Sequence, residues 1–480
     1  MTEYRNFIGG EWVAPKSGRY KPNINPARID ETLGLFPLSG EEDVDAAIEA
    51  AESALKTWRQ VPAGKRAAIL YKFADLLEAD ADHLGRILTR EQGKVLGESV
   101  GEVRRAAAEA RFMAGEALRV VGETYPSETQ GVWIQRRREP LGVVACITPW
   151  NFPVVTPVRK VAPALAYGNT VVLKPASETP WSAVRIVELL QQAGVPDGVV
   201  NLVMGSGGLV GQRLAESPAV RGVTFTGSTD VGTRIYQAAA GHMARVQLEL
   251  GGKNPAIVFD AYDVREAAFE IVKAAFQCSG QRCTAISRVI VREDEAEALT
   301  EALVELVRSV VVGDGLRDGV TMGPLVSQDQ LERVEEYIAI AREEGGTILT
   351  GGTRLPEAGN GYYFAPTLIT GLSKESRLMR EEIFGPVLPI YPVKSVEEAI
   401  EVANDVVYGL AASVFTRDLR VALALAENIE TGMVHINHGT ASQPHVPFGG
   451  VKHSGQGAYS IGATAKDFYT VDKIVYTRAS

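Results

Sequence analysis

Between Val143 and Phe225 four short apolar runs, Val143-Val-Ala-Cys-Ile147, Thr170-Val-Val-Leu173, Val199-Val-Asn-Leu-Val203 and Val223-Thr-Phe225, are separated by stretches long enough for helices. Strands alternating with helices in this way indicate an open, mostly parallel α/β sheet. A second set starts at Ala256-Ile-Val-Phe259 and continues through Arg288-Val-Ile-Val-Arg292 and Val387-Leu-Pro-Ile-Tyr391, so two open α/β lobes are expected. Upstream, Val44, Ile48, Ala51 and Leu55 recur at three- and four-residue steps and Ala106-Ala-Ala108 favours helix. The stretch from Glu41 to about Arg119 therefore reads as helical scaffold. Two stretches fit neither lobe, Gly122 to Pro140 and Phe468-Tyr-Thr-Val-Asp-Lys-Ile-Val-Tyr476. Their alternating, β-rich character predicts a small β arm whose open edge favours pairing with another subunit.

Composition narrows the class. A 480-residue chain that is 45% hydrophobic, without a long uncharged run, has the core of a soluble globular protein and no visible membrane span. The start, Met1-Thr-Glu-Tyr-Arg-Asn, lacks an apolar signal core, which makes the cytoplasm the expected compartment. Three cysteines build no disulfide framework. With 49 basic against 59 acidic side chains the net charge is −10, which argues against a nucleic-acid partner. The one basic cluster, Arg136-Arg-Arg138, lies in a strand-like stretch and reads as a solvated or intersubunit edge.

Chemistry concentrates in two places. Cys283 lies in Phe276-Gln-Cys-Ser-Gly-Gln-Arg-Cys283-Thr-Ala, among small and polar residues that let a substrate approach. Glu249 opens Glu249-Leu-Gly-Gly-Lys253, where two glycines let a carboxylate swing toward a water molecule. Together they suggest covalent catalysis followed by hydrolysis. The plainer alternative is a buried structural thiol and a solvated acid. Cys146, inside an apolar strand, reads as core; Cys278 reads as a packed or lining thiol, with a redox role the alternative.

These segments, with Pro149-Trp-Asn151-Phe-Pro153, Lys174-Pro-Ala-Ser-Glu-Thr-Pro180, Phe225-Thr-Gly-Ser-Thr229, Glu381-Glu-Ile-Phe-Gly-Pro386 and Pro447-Phe-Gly-Gly450, occur in the order found in aldehyde dehydrogenases. The chain resembles that superfamily from Phe7-Ile-Gly-Gly-Glu-Trp12 to near Val475. The resemblance implies a cofactor-binding domain from 1–121 and 141–252, and a catalytic domain from 253–466 whose tail returns to the first. It also makes 122–140 and 467–480 an oligomerisation arm of a dimer or tetramer. Cys283 becomes the nucleophile, Glu249 the base that activates the deacylating water, and Asn151, with the Cys283 N–H, the donor to the developing oxyanion. The family's general-base glutamate argues against the acylating relatives that pass the thioester to coenzyme A, and the whole set argues against a non-catalytic protein on the same fold. Many relatives carry a second acid after the Ser-Gly-x-Gly turn; this chain reads Ser454-Gly-Gln-Gly457-Ala-Tyr459, which leaves an accessory proton relay in doubt.

No Gly-x-Gly-x-x-Gly follows the first strand, so the usual dinucleotide fingerprint is missing. By resemblance NAD or NADP is held by Ile147, Thr148, Pro149, Trp150, Lys174, Ser177, Glu178, Gly227, Ser228, Gly251, Glu382 and Phe384. Ser228 with a helix N-terminus serves the pyrophosphate, Lys174 the adenosine ribose, and Glu382 and Phe384 the nicotinamide end. Strongly NAD-selective relatives often carry Glu where this chain has Ser177, so a 2′-phosphate beside Lys174 meets no repulsion. Arg159 follows Asn151 by two helical turns, where a guanidinium is costly to bury unless an anion meets it. Arg159, Arg282 and Ser442 are thus candidate substrate-binding residues. They resemble the site of succinate-semialdehyde dehydrogenases, although a second arginine used there falls at Gln277. The ending His445-Val-Pro-Phe-Gly-Gly-Val-Lys-His-Ser-Gly resembles the α-ketoglutarate-semialdehyde branch. A short aldehyde acid is the expected substrate, with a broad aliphatic or aromatic range the alternative if Arg159 is a structural ion pair. His435, His438, His445 and His453 have no metal-ligand spacing, so no metal is expected.

Overall fold

The computed structural model describes residues 1–478; Ala479 and Ser480, the end of the expected arm, lie outside the described residues. The helical stretch resolves into α1 (Glu41–Trp58), α2 (Ala63–Ala79), α3 (Ala81–Gln92) and α4 (Leu96–Glu116). The acidic first turn of α1 suits the positive helix end, and Asp43 accepts the Gly40 N–H at 3.0 Å. Helix α3 stops at Gly93, whose φ of +101° suits a residue without a Cβ. The reversal there carries Lys94 into the interior, where it is 2% exposed.

Next come α5 (Val155–Ala166), α6 (Pro180–Ala193), the short α7 (Gln212–Glu216) and α8 (Thr229–Ala240), each following one strand of an eight-stranded sheet. Its central strands, Val200–Leu202, Thr170–Lys174, Val143–Ile147, Val220–Thr226 and Arg245–Glu249, are parallel in that spatial order. Two antiparallel edges were not foreseen. Asn6–Ile8 and Glu11–Val13 close one side, and Gly455–Gln456, from far down the chain, closes the other against Leu248 and Glu249. The unbroken apolar runs have a simple cause. Val143, Ala145 and Ile147 pack with Val44, Ala47 and Ile48 of α1 on one face, while Val144 and Cys146 pack with α5 on the other.

A seven-stranded sheet follows the order Thr347–Thr350, Thr367–Thr370, Val387–Val393, Ile286–Arg292, Asn254–Val258, Ala411–Phe415, Met433–Ile436. All neighbours are parallel except the first pair. The arm is a separate three-stranded antiparallel sheet of Thr470–Arg478, Val132–Pro140 and Glu123–Tyr125. Its last strand begins at Thr470 rather than Phe468. Phe468 and Tyr469 sit in a short helix, Ala465–Tyr469, and are buried against the first lobe, because two adjacent aromatics there find a core to fill.

Helix α5 is buried at all twelve positions, charged ones included. It packs against α4, and that contact later decides where Arg159 finds its counter-charge.

Ending the chain after Tyr469 removes the partner that Val132–Pro140 holds along its whole length. A lower melting temperature is expected, because a two-stranded remnant is marginal in water. Scanning fluorimetry checks this, and an unchanged melting temperature would mean the arm adds nothing to the protein's stability.

Candidate active site

The carboxyl ends of the first sheet's strands face the Cys283 turn across a cavity of about 560 Å³. Asn151, Gly227, Ser228, Glu249 and Gly251 line it from one side, Cys283, Glu382 and Phe384 from the other. A crevice beyond strand carboxyl ends is where open α/β sheets bind ligands. Helix α4 forms a further wall with Glu98, Gly101, Glu102 and Arg105. The helical stretch read as scaffold therefore belongs to the site. Periodicity could not reveal this, since a polar stripe on a helix looks the same facing water or facing a cavity.

Cys283 follows a tight reversal in which Cys278, Ser279 and Gly280 have φ of +53°, +57° and +71°. A Cβ on Gly280 would lie 2.4 Å from the Gly385 carbonyl oxygen, so the reversal requires glycine there. Asn254 then fixes the turn: its Nδ2 donates to the carbonyls of Cys283 at 2.7 Å and Ala285 at 2.8 Å. The thiol is partly exposed to the cavity. Burial, then the carboxylates of Glu249 and Glu382, push its pKa up to about 12, against the pull of Arg159 and Arg282. Cys146 and Cys278 are fully buried, and burial pushes them up to about 12 and about 11.

Glu249 ends its strand 5% exposed. Its Oε2 accepts from Thr226 Oγ1 at 3.2 Å, and Oε1 has no protein partner among the described residues. A buried carboxylate oxygen left open on a cavity wall is placed to take a hydrogen bond from water. Asn151, 4% exposed, donates from Nδ2 to the Gln281 carbonyl at 2.9 Å. Among the described residues no protein acceptor takes the Cys283 N–H, which leaves a second donor beside the thiol.

The expected cofactor residues divide in two. Pro149, Trp150, Gly227, Ser228, Gly251, Glu382 and Phe384 line the cavity, whereas Ile147, Thr148, Lys174, Ser177 and Glu178 lie outside it. Lys174 is buried, donates to the Pro175 carbonyl at 2.6 Å, and is pushed down to about 8 by burial. Ser177 donates to the Gly205 carbonyl at 3.1 Å and borders a separate small recess. The lining group fits a nicotinamide ribose. Trp150 and Phe384 meet edge to face at 5.3 Å, and Phe384 is held at φ +62°, a strained value for a residue with a side chain. A Cβ on Gly251 would lie 2.2 Å from the Glu382 carboxylate, which accepts the Gly252 N–H at 2.9 Å. Ser228 caps α8, its Oγ accepting the Val231 N–H at 3.5 Å, and the N-terminus it caps borders the cavity.

Arg159 departs from the reading that leaves its charge waiting for a substrate. Its Nε and Nη2 bind the Glu109 carboxylate of α4 at 3.1 and 2.8 Å. Burial opposes the charge, but Glu109 more than offsets this, so the pKa stays raised. Among the described residues Nη1 keeps no protein partner, and the guanidinium lies over the Phe448 ring at 4.7 Å. The same Glu109 also accepts from Arg105 Nε at 2.9 Å. Arg105 in turn holds the Ser442 hydroxyl at 3.2 Å and the Ser442 carbonyl. Two guanidiniums thus share one carboxylate, and this trio carries a net positive charge. Sequence reasoning missed Arg105 and Glu109. Their one signal was a charged pair four residues apart on a helix, which usually means a solvated face. Arg282 is held by Gln277 and by Thr440 Oγ1 at 3.3 Å, with its buried Nε unpaired. Gln277 therefore anchors one arginine where a second was looked for.

His435 and His438 stack at 5.9 Å, and among the described residues no three His, Cys, Asp or Glu are grouped to hold a metal. The aldehyde dehydrogenase family model matches residues 12–475. The chain belongs to the aldehyde dehydrogenase family. It is an oxidoreductase of that family, using NAD or NADP. An α-ketoglutaric semialdehyde dehydrogenase of Bacillus subtilis is 43% identical over all of this chain and 99% of its own length. A phenylacetaldehyde dehydrogenase of Pseudomonas fluorescens is 42% identical over 98% and 95%. A crystal structure of an E. coli NADP-dependent enzyme superposes with a TM-score of 0.96 at 38% identity, covering 99% of this chain and 98% of that one. Identity alone does not choose between a charged and an uncharged aldehyde, so the choice falls to the cavity wall.

With its pKa raised to about 12, the free enzyme's Cys283 is a thiol at neutral pH. Alkylation by iodoacetamide is expected to climb about tenfold per pH unit from pH 7 to 10 without levelling, since only the thiolate reacts. A plateau near pH 8 would show that the charges around Cys283 are balanced otherwise.

Proposed function

We propose that this protein oxidises a short aldehyde acid to the corresponding dicarboxylate, with NAD or NADP as hydride acceptor. The observation that carries the substrate class is the wall on which Arg105 and Arg159 share Glu109. Two guanidiniums that share one carboxylate at this end of the cavity favour a ligand with a carboxylate at the end away from the aldehyde, because charge-assisted hydrogen bonds are stronger than neutral ones. The likeness to an enzyme of α-ketoglutaric semialdehyde supports the same reading.

In this reading Cys283, a thiol in the free enzyme, gives up its proton to water in the cavity and attacks the carbonyl carbon as a thiolate, forming a thiohemiacetal. Asn151 Nδ2 and the Cys283 N–H donate to the oxygen as it gains negative charge, a contribution of about 3 kcal/mol for one such donor. A nicotinamide cofactor would supply a hydride acceptor here, with Glu382, Phe384 and Trp150 placed to hold its ribose and ring and the α8 N-terminus its pyrophosphate. Loss of hydride leaves a thioester on Cys283. Glu249 Oε1 then takes a proton from water as the water attacks the thioester, and the acid departs with the thiolate restored. Buried Lys160 donates to Thr224 Oγ1 at 2.8 Å. The eight-stranded sheet serves as the cofactor lobe and the seven-stranded sheet as the catalytic lobe. A homo-oligomer is part of the proposal, supported by Trp133 and Tyr476, which stand 66% and 69% exposed on the arm. No helix among the described residues is long and apolar enough to cross a membrane, in keeping with a cytoplasmic enzyme.

Cys283→Ala is expected to abolish oxidation while cofactor binding survives. Glu249→Gln should give one burst of reduced cofactor at 340 nm followed by slow turnover, because acylation precedes hydrolysis. Steady turnover near wild type in either variant would overturn its role.

Arg105→Met and Arg159→Met are each expected to lower kcat/KM for a four- or five-carbon aldehyde acid by roughly 5- to 150-fold, the range of one charge-assisted contact. Hexanal should be spared. Equal losses for both substrates, or a wild type that prefers hexanal or benzaldehyde, would replace this reading with a broad-range enzyme.

A further inference from the structure

The proposed mechanism leaves one buried ion pair without a task. Lys94 and Glu102 have side chains 1% and 2% exposed, with Lys94 Nζ 2.6 Å from Glu102 Oε2. Burying two charges is costly unless their remaining hydrogen-bonding capacity is filled. What fills it here is the backbone around Asn151. Lys94 Nζ donates to the Asn151 carbonyl at 2.7 Å. Glu102 Oε1 accepts the N–H groups of Val154 at 2.9 Å and Val155 at 3.0 Å, where α5 begins. The ammonium also lies 4.1 Å from the centre of the Phe152 ring, next in sequence to Asn151. The pair's side-chain hydrogen bonds to the rest of the protein therefore all fall within residues 151–155. The Asn151 side chain reaches toward the Cys283 loop from the same short stretch, through its bond to Gln281.

We infer that Lys94 and Glu102 are positioning residues that fix the backbone of Asn151 and so aim its side-chain amide at the oxygen of the substrate. The inference rests on Asn151 being the oxyanion donor. Residues 151–154 lie between a strand and a helix and lack a ladder of their own, so their conformation needs an outside tether. A charged pair does this with directional bonds. The Lys94 end holds the carbonyl and the Glu102 end the amides three and four residues later, which fixes both position and tilt. Neither side chain forms or breaks a bond in the reaction. Gly93 makes the arrangement possible, because its left-handed conformation ends α3 and turns Lys94 inward.

The test is a double-mutant cycle on the full-length enzyme, reading the pre-steady-state burst of reduced cofactor, cofactor affinity by fluorescence, and melting temperature. Asn151→Ala is expected to slow the burst by about 100- to 1,000-fold. Lys94→Met should slow it by about 10- to 100-fold, the scale of a small misplacement, with cofactor affinity kept. In the Asn151→Ala background Lys94→Met should cost less than about twofold more, because its effect passes through a group already removed. Lys94→Arg should recover part of the rate. If Lys94→Met does not fold, Glu102→Gln, of nearly equal size, replaces it in the cycle and is judged by the same criteria. Losses that multiply in the double variant, or a loss confined to KM with the burst unchanged, overturn the positioning role and leave Asn151 as donor intact. A normal burst in Asn151→Ala removes the oxyanion reading itself, and the positioning role with it.

Discussion

The hydrogen bonds of Asn254 are the contact on which the rest of the site depends. This residue opens the strand Asn254–Val258, directly after the Gly251-Gly252-Lys253 turn that follows Glu249. Its Nδ2 holds the carbonyls of Cys283 and Ala285, and its Oδ1 accepts the Ala411 N–H at 3.0 Å. One buried amide thus ties the Cys283 turn to two neighbouring strands and to the segment carrying the Glu249 carboxylate. Gly252 shares the constraint: a Cβ there would stand 2.8 Å from Asn254 Oδ1 and 2.9 Å from the Cys283 carbonyl oxygen. The second glycine after Glu249 therefore serves close approach as well as flexibility. A buried amide with its donors and acceptor filled in one arrangement specifies that arrangement, because any slip would strand polar atoms without partners.

Charge placement within the first lobe follows the same logic. Helix α5 enters the interior completely, so Arg159 and the helix's N-terminal amides must be answered from another element. Helix α4 answers with Glu102 for the N-terminal amides and Glu109 for Arg159. Residues 102 and 109 are seven apart, close to two helical turns, and so share one face of α4. The buried face of α4 is accordingly ionic at one position per two turns, with Val103, Ala106, Ala107 and Ala110 filling between. Small side chains there let the two helices approach closely enough for such bonds.

The α/β class, both lobes and the arm were legible because each rests on patterns local in sequence: apolar runs, helical periodicity, alternation. Cys283, Glu249 and Asn151 were singled out by their turn-forming neighbours and by the family resemblance, and the structure lines one cavity with all three. What escaped lies in contacts between distant segments. Lys94, Glu102, Arg105 and Glu109 look on paper like the solvated charges of an ordinary helix, and only packing against α5 makes them interior. The edge strand Gly455–Gln456 is too short to carry any alternation. Arg159 was found, but the anion that meets it, on another helix 50 residues away, was not. Burial implies that a partner exists without naming it.

The strand Gly455–Gln456 also bears on when this molecule acquires its shape. Ser454, just before it, donates to the Gly251 carbonyl at 2.7 Å and accepts the Gly409 N–H at 2.9 Å, while Leu250 N–H binds the Ser454 carbonyl at 2.9 Å. The segment after Glu249 is thus held by residues made some 200 positions later. During synthesis the first lobe can gather its core while the ribosome is still translating the second, since domains tend to fold as they emerge. The carboxylate's loop cannot. It lacks this anchor until nearly the whole chain has left the exit tunnel, so a chain stalled or cut before residue 450 would hold a largely folded first lobe whose Glu249 loop misses the Ser454 bonds.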